Sequence, residues 1–414
     1  MKDNMIKNSA LAEEGLRKIN WVRKNMPILR LMEKDFEENQ YFKGVRIALS
    51  IHLEAKTAVL ALLFAAGGAE ISVTGSNPLS TKDDVVAALD KAGLHVYSWH
   101  GASKEEYHAH INAAMDIKPQ IVIDDGGDLV ELLHEERKEL VSGVFGACEE
   151  TTTGVLRNKA REKAGKLSFP VVAVNDAWCK YLFDNRYGTG QSTLDAVMRT
   201  TNLVISGKSA VVLGYGWVGK GVAARLKGMG ARVTVTEIDP VKALEAVMDG
   251  FEVKSMDEVS PYGEIFITAT GNTGVITGEH FEKMKDGVIL GNAGHFPVEI
   301  DLSALNRLAV HREEVRENLF GYMLPDGRWI NVLGDGNIVN IACADGHPAE
   351  IMDMSFALQA LSTKYLLENH QDLENRVRKV PDKIDVRVAE LKLQSLGITI
   401  DSLKDDQKEY LEGF

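Results

Sequence analysis

The chain has 414 residues, 45% of them hydrophobic and 26% charged, and a formal net charge of -13. That length holds two or more domains with cores of their own, and the acidic balance argues against a nucleic-acid partner, whose phosphates would be repelled. Cys148, Cys179 and Cys343 show neither CxxC spacing nor a disulfide framework, as suits a reducing compartment.

The opening stretch MKDNMIKNSALAEEGLRKI carries charges but no apolar core of signal-peptide length, and no apolar run reaches bilayer length. A cytoplasmic protein with no membrane partner is expected. From residue 45 the β-branched runs VRIALSI, EISVTGS, HVYSW, QIVIDDG, GVFGA and PVVAV alternate with helical stretches such as AKTAVLALLFAAG and TKDDVVAALDKAG. Such alternation predicts a parallel sheet covered on both faces. A second set, SAVVLG, ARVTVTE, EIFITAT and GVILGN, predicts another. FGYMLPDGRWINVLG reads as a hairpin around Pro325-Asp326-Gly327, and Ala349 to Glu368 as a mostly apolar helix able to return to the first domain. The expected fold class is α/β: two doubly wound parallel-sheet domains plus a small C-terminal helical tail. The expected boundaries are 1–186 with 348–380, then 187–347 as an insertion, then 381–414 as a charged tail packing on another subunit.

VVLGYGWVGKG places Gly214, Gly216 and Gly219 after a strand and at the start of a helix, the Rossmann context for a dinucleotide. The first glycine allows the tight turn, the second lets the backbone approach the pyrophosphate, and the third lets helix and strand pack closely. Glu237 ends the next strand; a carboxylate there accepts ribose hydroxyls and repels a 2'-phosphate, which favours NAD over NADP. Lys220 is a phosphate neighbour or a solvated helix residue.

In the leading segment, five strand ends carry polar groups: Ser50 and His52; Asn77, Ser80 and Thr81; Asp124 and Asp125; Glu149, Glu150 and Thr151 to Thr153; Asn175 and Asp176. Each has a plain reading as a helix cap, and together they describe a pocket for a hydroxyl-rich ligand. Lys180, Asp184 and Asn185 follow at i, i+4 and i+5, just before the cofactor segment, where a cleft between domains must lie. A surface salt bridge is the plain reading; a lysine with lowered pKa acting as proton acceptor is the functional one.

The blocks SIHLEAKTAVL, TGSNPLSTKDD, IDDGGDL, CEETTTGV, VNDAWCKYLFDNRYG, LGYGWVGKG, TEIDP, GNAGHFPVEID and ACADGHPAEIMDMSF resemble the S-adenosyl-L-homocysteine hydrolase family over nearly the whole chain, in a short form similar to archaeal and thermophilic bacterial members. The resemblance implies bound NAD that oxidises a ribose 3'-hydroxyl, allows elimination of homocysteine and addition of water, and then returns the hydride to C3', so that no net oxidation results. It implies that Lys180 and Asp184 address the 3'-hydroxyl, that Glu150 holds the ribose hydroxyls, and that His52 and Asp125 face C5', with His295 nearby as a further acid-base candidate. Glu54, Lys56, Thr57, His347, Met352 and Phe356 are implied around the substrate. Thr151, Thr152, Thr153, Asn185, Trp217, Val218, Thr270, Asn272, Ala293, Gly294, His295, Asn340 and His347 are implied around NAD, beside the glycines and Glu237. No metal is implied; a homotetramer is.

Three departures from the family pattern bear on these expectations. Thr189 stands where a cysteine is common, and Glu54 and Lys56 stand where threonine and glutamate are common near the base. A lysine is a donor, so an S-inosyl substrate, whose base presents a carbonyl, is an alternative to the adenosyl one. The sequence ends at QKEYLEGF, without the longer tail that reaches a neighbour's NAD, and faster NAD exchange is expected. Two other readings remain open at this point: an NAD-dependent 2-hydroxy-acid dehydrogenase, which would accumulate NADH, and an NAD-sensing protein without chemistry.

Overall fold

A computed structural model of the chain describes residues 3–413; residues 1, 2 and 414, at the outer ends of the first and last expected segments, lie outside them. The first sheet is built from β1 (Arg46–Ile51), β2 (Glu70–Gly75), β3 (His95–Tyr97), β4 (Ile121–Asp124), β5 (Gly146–Glu149) and β6 (Val171–Ala173). The second holds β7 (Ser209–Leu213), β8 (Arg232–Thr236), β9 (Glu252–Val253), β10 (Ile265–Thr268), β11 (Val288–Asn292), β12 (His311–Arg316), β13 (Leu319–Met323) and β14 (Trp329–Leu333). β15 (Val377–Lys379) then returns to the first sheet, beside β6.

The first sheet runs β15-β6-β5-β4-β1-β2-β3 and is parallel throughout. Alternate residues of each strand feed opposite cores. Ile47, Leu49, Ile121 and Ile123 point into one, and Ala48, Val122, Ala147 and Val171 into the other. This period of two within continuous apolar runs is why the strands are legible in sequence yet buried on both faces. The chain winds outward from β1 through β2 and β3 and then crosses back to β4 on the other side of β1, so a crevice opens between β1 and β4 at their carboxyl ends.

The second sheet runs β12-β13-β14-β11-β10-β7-β8-β9, with the same reversal of order between β7 and β10. Its outer hairpins are antiparallel: Leu319 to Met323 register against Leu333 to Trp329 across the expected Pro325-Asp326-Gly327 turn. β12, HREEVR, is exposed along all six residues and charged, a protected edge with no apolar alternation to announce it.

Two N-terminal helices, Ala12–Lys24 and Pro27–Asn39, were not part of the sequence expectation. The second begins with proline, and the N–H groups of Ile28 and Leu29 donate to the two carboxylate oxygens of Asp353 at 3.0 Å each. A cap of this kind is worth about 1 kcal/mol. Asp353 belongs to the apolar helix Ala349–Asn369, which packs on β4, β5 and the helix Ala55–Ala66, the return predicted from its sequence.

The tail departs from expectation. Its first helix, Asp382–Ser395, packs on the chain's own helices Pro27–Asn39 and Ala349–Asn369 through buried Ile384, Val388 and Leu391. These three recur at i, i+4 and i+7, a narrow stripe that the charged composition hides. No helix among the described residues is long and apolar enough to cross a membrane.

Candidate active site

Register brings the polar strand ends together. Ser50 pairs with Asp124 across β1 and β4, and Asp124 with Glu149 across β4 and β5, so the residues that follow emerge side by side at the carboxyl edge. Ser50, Asp124 and Glu149 themselves are fully buried and serve the scaffold. Asp124 accepts from the N–H groups of Asp125 and Val130, and Glu149 from those of Gly126 and Thr151. His52, Asp125, Glu150 and Thr151 to Thr153, one to four positions later, line a cleft of about 430 Å³ between the two sheets. Thr151 also caps the helix Thr152–Lys163, so cap and cleft-lining roles coincide there.

His52 Nδ1 lies 2.8 Å from Ser80 Oγ, and Nε2 lies 3.6 Å from Asp125 Oδ2. Burial lowers the His52 pKa, with only partial opposition from Asp125, so the imidazole is neutral at neutral pH. Asp125 accepts from Ser76 Oγ at 2.8 Å. His295 arrives from the loop after β11: a Cβ on Gly126 would stand 3.0 Å from its Nε2, so it closes over the loop after β4.

Lys180 opens the turn Tyr181–Gly188, which is wound as a π-helix. The wider winding lets one ammonium reach two neighbours: Nζ lies 2.9 Å from Asp184 Oδ1 and 3.0 Å from Asn185 Oδ1, and also 3.5 Å from Glu150 Oε1. Asp184 is further paired with His347 Nδ1 at 3.0 Å and accepts from Ser355 Oγ at 2.7 Å. The expected lowering of the Lys180 pKa is not found. Burial pulls it down, but Asp184 and Glu150 more than offset this, and it is raised. Asp184, against its burial, is lowered by Lys180 and His347. Burial pushes Glu150 up to about 8, with Lys180 only partly opposing. Lys180 is therefore an ammonium here, not a free base.

Thr189 takes up its own role, with Oγ1 3.0 Å from His347 Nε2. Lys56 Nζ is 2.9 Å from Glu54 Oε2 and donates to the Asp345 carbonyl at 2.9 Å. Together with Thr57, Met352 and Phe356 these side chains line the same cleft.

The other wall is the glycine loop. Gly214 has φ +96°, and a Cβ on Gly219 would fall 1.9 Å from the Gly214 carbonyl oxygen, so both are needed beneath the surface. A Cβ on Gly216 would meet open space within the cleft, and the helix Trp217–Gly228 starts there with no side-chain cap. Free N–H groups at the positive end of a helix, reached over a residue without a side chain, fit a pyrophosphate. Val218, Thr270, Ala293, Gly294, Asn185 and Asn340 complete this wall. Asp125 Oδ1, Glu150 Oε1 and Asn340 Oδ1 are buried and find no hydrogen-bond partner among the described residues, acceptors left for a ligand.

Glu237 and Asn272 stand apart from the cleft wall. Glu237 accepts from the N–H groups of Tyr215, Ile238 and Asp239, which lower its pKa against burial and leave little acceptor capacity spare. Asn272 is exposed and bonds the next residue's N–H. Lys220 is neither solvated nor aimed at the cleft, pairing with Glu245 at 2.6 Å.

Several supporting residues escaped the sequence reading. Asp385 accepts from the N–H groups of Trp178 and Cys179, holding the turn that leads into Lys180. Gln359 donates to Glu150 Oε2 at 2.5 Å. Buried Glu299 accepts from Thr270 and Gly271, shaping the loop after β10. For Ser355 and Gln359 a signal was present: polar residues at i, i+4 inside an apolar helix.

A doubly wound sheet ending in a glycine loop, set across a cleft from buried carboxylates, a lysine and histidines, defines a two-domain dinucleotide-dependent enzyme. The sequence profile described as S-adenosyl-L-homocysteine hydrolase matches residues 3–142, and that described as S-adenosyl-L-homocysteine hydrolase, NAD binding domain, matches residues 185–346. The adenosylhomocysteinase of Pyrococcus abyssi is 57% identical over 412 residues, 100% of this chain and 98% of that protein. That of Thermococcus kodakarensis is 55% identical over 413 residues, and covers 100% and 98%. The S-inosyl-L-homocysteine hydrolase of Methanocaldococcus jannaschii is 55% identical over 407 residues, 98% of each chain. The chain belongs to the S-adenosyl-L-homocysteine hydrolase family. It is a hydrolase, and NAD is its cofactor.

Proposed function

We propose that the chain catalyses the reversible hydrolysis of S-adenosyl-L-homocysteine to adenosine and L-homocysteine. The observation that carries this reading is the buried set Lys180, Asp184 and Glu150 standing across the cleft from the glycine loop. NAD, when bound, supplies hydride acceptance and return at C3', which makes the C4' proton acidic and leaves no net oxidation. The protein's part is position and protons. Glu150 Oε1 is the open acceptor for a ribose hydroxyl. With a pKa of about 8, its ionised fraction takes the hydroxyl proton near neutral pH. Lys180 donates to the same oxygen as an ammonium and stabilises the negative charge that develops there, while Asp184 holds it in place. Neutral His52, fixed at Nδ1 by Ser80, leaves Nε2 to exchange protons at C5' with the help of Asp125. His295, closing over Gly126, shields that end from water. The decisive measurement is wash-in of deuterium at C4' from heavy water alongside thiol release without accumulating NADH; no wash-in refutes the reading.

A second reading concerns the base. Met352 and Phe356 offer apolar walls, and Lys56, with two of its three N–H donors used, directs a donor at this end of the cleft. A carbonyl at the purine 6-position accepts it; an amino group does not. This favours an S-inosyl substrate, and thiol release from the two compounds side by side discriminates. We further propose units of 1–186 with 348–380 and of 187–347, supported by the two separate sheets and by the return of the chain to the first of them. We also propose self-association into a homotetramer, supported by exposed Ile398, Ile400, Leu403 and Leu411 in the tail beyond the packed helix. Sedimentation tests the subunit number. The buried unpaired thiols suit a cytoplasmic setting.

A further inference from the structure

Next to Lys180 in the chain stands Tyr181, a residue absent from the cleft wall and unused by the chemistry above. Its ring stacks on Trp217, with centroids 5.1 Å apart and planes at 30°. Trp217 does line the cleft, between Gly216 and Val218, as the first residue of the helix that meets the dinucleotide. The indole is engaged by a cation too: Lys220 Nζ stands 4.5 Å from its centroid and is held by Glu245. One helical turn on, the backbones touch, since a Cβ on Gly221 would fall 1.8 Å from the Arg186 carbonyl oxygen. The dinucleotide helix and the π-wound turn therefore meet along their length: through Tyr181 and Trp217, through the backbones at Arg186 and Gly221, and through Arg225, whose guanidinium stands 5.6 Å from the Tyr187 ring centroid. Of these, the Tyr181–Trp217 stack is the one adjacent in the chain to both Lys180 and the glycine loop.

We propose that Tyr181 is a positioning residue: its stack on Trp217 sets where the Lys180 ammonium stands relative to the bound dinucleotide, and couples dinucleotide retention to the placement of Lys180. The proposal rests on the functional reading above for the role of Lys180. The physical basis is the offset aromatic contact, reinforced by a cation on the indole, which resists sliding of one element over the other. Reacting groups held across such a contact lose rate steeply when it slackens, because small misplacements are costly.

The test uses the full-length, NAD-loaded enzyme and three substitutions. Tyr181→Phe keeps the ring, Tyr181→Leu keeps apolar volume without it, and Tyr181→Ala removes both. Turnover for thiol release, KM for the nucleoside thioether and the rate of NAD loss into NAD-free buffer are measured for each. The phenylalanine variant is expected to match the parent. The leucine and alanine variants are expected to lose about tenfold in turnover with KM within about twofold, and to release NAD about tenfold faster. Rescue by leucine as complete as by phenylalanine means that burial, not stacking, matters, and overturns the proposal; so does an alanine variant equal to the parent in both rates. A parent that releases no thiol while the leucine variant still sheds NAD faster refutes the functional reading and leaves the coupling of the stack to NAD standing.

Discussion

Replacing Lys180 by alanine deletes a cation that faces two buried carboxylates, with its Nζ 2.9 Å from Asp184 and 3.5 Å from Glu150. Breaking a buried pair from one side costs about 3–5 kcal/mol. Two features keep the cost near the lower end. Glu150, already at about 8, rises further and stays protonated, and His347 remains 3.0 Å from Asp184 to share its charge. A loss of about 3 kcal/mol is within the usual stability of about 5–15 kcal/mol, so the variant folds and retains NAD. Chemistry suffers more. An ammonium that stabilises charge on the reacting oxygen contributes on the order of 10²–10³ in rate, or about 3–4 kcal/mol of barrier. The assay is thiol capture on purified variant with bound NAD counted, beside a melting scan. Turnover within about threefold of the parent at full NAD occupancy would refute the assignment of Lys180.

Asp385→Ala should lower the melting temperature by the equivalent of about 1–2 kcal/mol, because the N–H groups of Trp178 and Cys179 lose their acceptor, and should reduce turnover by loosening the Lys180 turn. Unchanged melting and turnover would remove the tail helix from the site's support. Glu150→Gln tests the raised carboxyl. A folded pKa of about 8 above the ordinary value means that the Glu150 contribution is fully present below about pH 4.5 and lost as pH rises through about 8. The melting temperature of the glutamine variant relative to the parent should therefore climb between about pH 5 and about pH 9, and a flat difference would show that Glu150 titrates normally. Lys56→Met should shift the ratio of inosyl to adenosyl turnover toward the adenosyl compound by about tenfold, read from paired thiol-release rates; an unchanged ratio would detach Lys56 from base choice.

Much of the fold was readable along the chain because its signals are local. Ten of the strands are short apolar runs flanked by turns, and the hairpin after β13 announces itself through Pro325-Asp326-Gly327. β9, β12 and β15 were not, since a charged edge strand and strands of two or three residues carry no pattern of their own. The same contrast holds at the site. His52, Asp125, Glu150 and Lys180 could be singled out because each follows a strand or opens a helix. Asp385 and Gln359, which hold them, act across separations of 206 and 209 residues that no local pattern encodes.

By itself, then, the sequence determined the two α/β sheets, the glycine loop for a dinucleotide and the set of polar groups available to a ligand, because apolar periodicity and backbone freedom are properties of neighbours in the chain. The state of those groups was decided by tertiary structure. Spacing suggested a lysine ready to accept a proton, whereas the carboxyl groups of Asp184 and Glu150, outweighing burial, keep it an ammonium. Charge on a buried group is set by the field of everything packed around it, and that field exists only once distant segments have met.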